Sequence, residues 1–168
     1  MVIWETERLL LRHYSPTDWD DLAALYADPE FTRFLNPPSS REQVRDDIAA
    51  YIEEYERIGY GFYATLYKPD GRFIGRCGLL SQCIEGVKEV EVAYGIAPAY
   101  WGRGVGTEAA RAVKEYGFRQ FGFPRLISLV DHDNIASQRV AEKNGMQRQK
   151  SIEIDGRPFY LYVVEKPE

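Results

Sequence analysis

Between a β-rich run and a helix-forming segment lies Pro98-Ala99-Tyr100-Trp101-Gly102-Arg103-Gly104-Val105-Gly106-Thr107-Glu108-Ala109, with glycine at three alternate positions. Glycine there removes the Cβ that blocks close backbone approach and permits the φ > 0 values that a nest of N–H groups requires. The helix start beyond it adds free N–H groups and a positive dipole end, so the turn can hold an anion such as a pyrophosphate. Arg103 can add a charge-assisted contact and Thr107 a hydroxyl. The same glycines also suit a tight turn that binds nothing, and residue types alone leave both readings open. No Gly-Lys-Ser or Gly-Lys-Thr occurs, which removes a P-loop. Gly104 to Ala109 spells the letters of a dinucleotide fingerprint, but Ala97 to Trp101 intervene where that fingerprint needs a buried strand running straight in. A nucleotide-dependent oxidoreductase is disfavoured on that ground.

Other reactive side chains are sparse. Cys77 and Cys83 form neither a CxxC pair nor a zinc set, and the reading is reduced thiols in a cytosolic chain, with Cys77 buried and inert. Around His13 and His132 no ligand set has convincing spacing, so no metal is expected. Glu89-Val90-Glu91-Val92 alternates, which puts both carboxylates on one face of a strand. The 168 residues carry a net charge of −5 with no basic run, which disfavours nucleic acid as the main partner. The N-terminus lacks a signal-peptide pattern, and no apolar run approaches the roughly 20 residues that span a bilayer. The expectation is one domain over residues 1–168, cytoplasmic, off the membrane, and monomer or homodimer.

The elements that must hold these residues follow from pattern. Arg8 to Arg12 reads as the first strand. Ser15-Pro16-Thr17-Asp18 opens a helix with a capping serine and proline at the first helical position. Ser39 or Ser40 caps a second helix, apolar at 3–4 spacing from Val44 to Tyr55 and ended by Gly59. Period-two runs follow at residues 60–67, 73–80 and 89–96, then a helix from about Gly104 to Phe121. A short buried strand at 125–130, a helix at 137–143, and two strands at 147–154 and 158–165 joined by Asp155-Gly156 complete the chain. The order is mixed α+β rather than strict βαβ alternation: about seven strands and about four helices.

Trp101 to Gly106 resembles the R/Q-x-x-G-x-G/A acyl-CoA signature of the GNAT N-acetyltransferases, with Trp101 in place of the first Gln or Arg. The resemblance extends to Thr6–Arg12, Ala27–Glu30, Phe73–Leu79, Tyr94–Ala109 and Asn134–Met146, which look like the ribosomal-protein N-terminal acetyltransferase branch. It implies the GNAT fold, with a mixed, mostly antiparallel sheet. It implies acetyl transfer from acetyl-CoA to a primary amine, on a protein N-terminus or a small molecule, by direct attack in a ternary complex. A non-catalytic acyl-CoA-binding module is the alternative. By the same resemblance, backbone groups near Tyr94, Gly95 and Ile96 hold the pantetheine arm. Main-chain groups of Trp101, Gly102, Arg103, Gly104, Val105, Gly106 and Thr107 hold the pyrophosphate. Glu91 becomes the base, with Glu89 in reserve. Asn134 contacts pantetheine, and Ser137 lies near the CoA sulfur. The tyrosine that many members carry seven residues after the asparagine is Ala141 here, so Ser137, a water or another tyrosine must serve the departing thiolate. Phe31 to Asn36 and the hairpin from Asp155 to Tyr160 match the family's substrate-side loops.

Overall fold

In the computed structural model, which describes residues 1–38 and 40–168, one sheet runs through the chain in the order β1-β2-β3-β4-β5-β6-β8-β7. The strands are β1 (Val2–Glu5), β2 (Leu9–Arg12), β3 (Phe62–Tyr67), β4 (Arg72–Ile84), β5 (Val87–Ile96), β6 (Arg125–Asp131), β7 (Gln147–Ile154) and β8 (Arg157–Glu165). The helices are α1 (Trp19–Tyr26), α2 (Pro29–Thr32), α3 (Arg41–Arg57), α4 (Val105–Tyr116) and α5 (Ile135–Lys143). All neighbours pair antiparallel except β5 and β6, which are parallel because α4 crosses between them.

The alternation of β3 to β5 sorts side chains to two faces. Tyr63, Cys77, Leu79 and Val92 pack under α4, whereas Phe62, Ala64, Leu80 and Ala93 meet α1 and α3. Capping follows the sequence: Ser15 and Asp18 form a capping box, and Ser40 accepts the Gln43 N–H at the start of α3. The alternative cap, Ser39, lies outside the described residues.

Three differences correct the sequence reading. The sheet has eight strands, because Val2–Glu5 pairs with β2 as a short edge strand. A fifth helix, the single turn α2, is started by Asp28, whose carboxylate accepts the Glu30 N–H. β4 and β5 also run past their predicted ends to meet at Glu85-Gly86, both with positive φ (49° and 81°), a two-residue hairpin turn. The long helix closes in a widened π turn at Gly117–Phe121.

One clamp fixes the glycine turn to the sheet. Glu108 accepts hydrogen bonds from the Thr6 hydroxyl, the Arg8 amide and the Arg8 guanidinium (2.7 Å), and Arg8 also donates to the Arg103 carbonyl (2.9 Å). Burial opposes the Glu108 charge, but these donors outweigh it and hold its carboxyl below its ordinary value. Its stabilising contribution is therefore present above the unfolded carboxylate pKa and lost as pH falls through the lower folded value. Glu108→Ala is expected to cost about 2 kcal/mol, or roughly 4–8 °C in Tm, near pH 7. Thermal melts near pH 3 should show the gap between wild type and variant closing.

Candidate active site

β5 and β6 part just where chemistry is expected. Their ladder has one register pair, Glu91 with Ile127. Along β5, antiparallel pairing with β4 turns the N–H and C=O of every second residue the other way, toward β6. The Val92 carbonyl on that side accepts the Ser128 hydroxyl (2.8 Å), and the Ile96 carbonyl accepts the Trp101 indole N–H (2.7 Å). The N–H and C=O of Tyr94, and the N–H of Ile96, lie between these bonds and beyond the end of the β6 ladder.

This refines the expected pantetheine contacts. Gly95 is paired with Arg76, so its backbone groups face β4 rather than the gap. The Ile96 carbonyl already holds the Trp101 side chain. The Trp101 indole thus bridges the end of β5 to the glycine turn.

In that turn Gly102 and Gly104 adopt φ of 74° and 76°, and Gly104 is the left-handed cap of α4. The first intrahelical bond runs from the Glu108 N–H to the Gly104 carbonyl. The N–H groups of Val105, Gly106 and Thr107 therefore precede the ladder and are free for an anion.

A cavity of about 170 Å³ opens at the parting of the strands. Glu91, Tyr94, Asn134 and Ser137 line it together, as do Phe34, Leu35 and Phe159 from the two expected substrate-side segments. The Tyr94 hydroxyl lies 2.6 Å from the Ser137 hydroxyl, and Asn134 caps α5 by accepting the Ser137 N–H. Burial drives the Tyr94 phenol well above its ordinary pKa, so it is a neutral hydrogen-bonding group near pH 7.

Glu91 is 9% exposed, and burial raises its pKa to about 7 against opposing contributions from the Gln82 amide, the Leu129 N–H and the Arg76 charge. Gln82 donates to it at 2.7 Å. The two candidate carboxylates are thereby separated. Glu89 is bound by Arg125 through two hydrogen bonds (2.7 and 3.1 Å) and does not line the cavity. Ala141, at the position of the missing tyrosine, is a core residue packed with Val130, Met146 and Tyr162.

His132 stacks on Tyr160 and shares a hydrogen bond with Ser151. Cys77 is buried, with its thiol pushed up to about 11 by burial, and is inert. Sequence reasoning missed Arg76, Leu80 and Gln82. They share the Glu91 face only through the β4–β5 register, which the unread turn at Glu85-Gly86 fixes.

A parted strand pair, a glycine turn with free amides and a buried carboxyl titrating near neutrality define a group-transfer site. Residues 8–147 match the acetyltransferase (GNAT) domain family, and the chain belongs to that family of acetyl-CoA-dependent acyltransferases. It is 32% identical to the uncharacterized N-acetyltransferase YoaA of Bacillus subtilis, over 98% of this chain and 97% of that protein. YkkB of the same organism is 33% identical, over 94% and 92% of the two chains. The Salmonella typhimurium acetyltransferase that modifies the N-terminal serine of ribosomal protein L7/L12 superposes with a TM-score of 0.82 at 18% identity, covering 98% and 99%. At that identity the likeness shows the fold. No helix among the described residues is long and apolar enough to cross a membrane.

Proposed function

We propose that the chain transfers acetyl from acetyl-CoA to a primary amine by direct attack within a ternary complex, in the cytoplasm. The observation that carries this reading is Glu91, a buried carboxyl titrating near 7 in the cavity at the strand gap. Tyr94 backbone groups and the Ile96 N–H would pair with the amides of pantetheine, and the N–H groups of Val105 to Thr107 would hold the pyrophosphate. Acetyl-CoA supplies the activated thioester. Glu91 takes the proton of the ammonium, leaving a neutral amine whose lone pair forms the new C–N bond as the C–S bond breaks. The sulfur leaves with the bonding pair and takes a proton relayed through the Ser137 hydroxyl, which Tyr94 supports; the second proton shed by the new amide nitrogen replenishes that hydroxyl, so Ser137 ends unchanged.

A thiolate with an ordinary pKa near 8.5 needs little help to leave. Ser137→Ala and Tyr94→Phe are therefore each expected to lower kcat about tenfold, the effect of one lost hydrogen bond. Steady-state assays with the best acceptor check this, and a loss confined to KM would remove the pair from thiolate protonation.

A thermal-shift titration with acetyl-CoA, CoA and NADP⁺ tests the donor site. At about 100 times Kd a specific ligand adds roughly 2.7 kcal/mol and raises Tm by several degrees. Saturable stabilisation by acetyl-CoA and none by NADP⁺ is expected, followed by acetyl transfer in an amine screen. Stabilisation without transfer to any amine would favour a non-catalytic binding module.

A further inference from the structure

Arg76 lines the cavity and forms no ion pair among the described residues. Its residue pair in the β4–β5 register is Gly95, on the same face as Glu91 and four residues along the strand, about 13 Å between Cα positions. Arg76 is half-buried, its guanidinium lies over the rings of Phe62 (4.2 Å) and Tyr26 (5.4 Å), and its Nε is shut off from solvent with no hydrogen-bond partner among the described residues. The charges and phenols that face it are Tyr14, Tyr26 and Tyr51, together with Glu91 across the cavity. Burial raises the Tyr14 and Tyr26 phenols, so they stay neutral and supply no negative charge. The other carboxylate on the cavity wall, Asp131, is held by Arg157 at 2.7 Å.

A guanidinium partly removed from water is costly unless an anion or a full set of acceptors meets it. Aromatic faces return only part of that cost. A planar fork of donors fits a carboxylate in particular. At the other end of the same cavity Glu91 is suited to an ammonium group, and Phe34, Leu35 and Leu80 supply apolar wall between.

We propose that Arg76 is the binding subsite for a carboxylate on the acceptor, so that the acceptor is a small amino carboxylic acid with an apolar body. This deepens the acetyl-transfer reading and depends on it. Glu91 and Arg76 then orient the acceptor by its two charged ends, and an amine lacking the carboxylate leaves the Arg76 guanidinium without an anion in the bound state.

The test has a binding arm and a kinetic arm. N-acetyl derivatives of glycine, leucine, phenylalanine, β-alanine and γ-aminobutyrate, each as free acid and as primary amide, are titrated into wild type and Arg76→Gln, with and without CoA. At least one acid is expected to bind wild type about tenfold tighter than its amide. In Arg76→Gln that preference should vanish, while the acetyl-CoA shift, measured from the variant's own Tm, stays as in wild type. Arg76→Lys should recover part of it. In steady state the free amino acid should show the same ratio in KM, with kcat changing little.

Equal binding of acids and amides to wild type, or preferred acetylation of peptide N-termini over free amino acids, would overturn the subsite. With acetyl-CoA still stabilising the chain, acetyl transfer would stand without it. Loss of the acetyl-CoA shift in wild type would instead remove acetyl transfer. Failure of every acid to outbind its amide, CoA present or absent, overturns the subsite in that case too.

Discussion

Glu91→Gln is expected to lower kcat by about 10² to 10⁴, the range over which a positioned general base acts. The substitution keeps the side chain's shape and can still accept the Gln82 amide hydrogen bond seen at 2.7 Å, so the cavity should survive it. What it removes is a proton acceptor matched to neutral pH, since burial has brought the Glu91 carboxyl up to about 7. Wild-type kcat/KM should accordingly climb through pH 7 as Glu91 ionises, and the variant should lose that limb. Acetyl-CoA affinity should not change. A variant with wild-type kcat from pH 6 to 9 would take Glu91 out of the mechanism.

The same substitution has an opposite effect on the fold, which can be read without any substrate. Glu91 is raised from 4.5 unfolded to about 7 folded, so the folded state favours its protonated form. That preference stabilises fully below the unfolded value and is lost as pH rises through the folded one. At pH 8 the buried carboxylate therefore weighs against folding by about 3 kcal/mol relative to low pH. Glu91→Gln, which carries no charge at any pH, should melt higher than wild type by several degrees at pH 8 and equal to it near pH 4. Glu108 slopes the other way, because its donors hold its carboxyl down. Two glutamates thus divide between a stabilising clamp and a strained functional group, and neither residue type nor charge distinguishes them.

What the sequence made legible is local in origin. Ser15 to Asp18, Ser40 and Asp155-Gly156 carry their own capping and turn chemistry, and the structure shows each forming as that chemistry dictates. The edge strand Val2–Glu5 is only four residues long and half exposed, so burial leaves little pattern on it. Glu85 takes φ of 49° at the β4–β5 turn, where Asn or Asp gives the readable signal, and the true length of both strands was hidden with it. Alternation placed Glu89 and Glu91 on one face. Choosing between them required Arg125, which lies 36 residues from Glu89 and meets it only through the sheet. Sequence alone does not separate Gly95 from Tyr94, because the direction of a backbone N–H depends on register, and register is fixed by the partner strand. Arg76 was invisible for the same reason: its meaning lies in what stands opposite it.

The glycine turn gives the other large effect. Gly104→Val is expected to abolish acetyl-CoA binding, so that the stabilisation of roughly 2.7 kcal/mol from ligand at about 100 times Kd disappears. Gly104 has φ of 76° and caps α4, and a Cβ there would meet the Arg8 guanidinium at 3.6 Å. A β-branched side chain in that region costs about 1–3 kcal/mol in backbone strain whether or not a ligand is involved, so lost binding alone would not separate a ligand site from a damaged turn. Gly122→Val supplies the matched control. Gly122 has φ of 67°, a Cβ there would meet nothing within 4 Å among the described residues, and it lies beyond the π turn at the far end of the long helix. Both variants should lose comparable stability in the absence of ligand. Only Gly104→Val should lose the acetyl-CoA shift, because only there does the backbone have to present its N–H groups to an anion. Gly106→Ala sharpens the comparison: φ at Gly106 is not positive and its Cβ would sit 3.8 Å from a Val140 methyl, an ordinary contact. That variant should keep both fold and binding. If Gly104→Val retains acetyl-CoA affinity once its lower Tm is allowed for, the turn is structural and the donor's pyrophosphate must be held elsewhere.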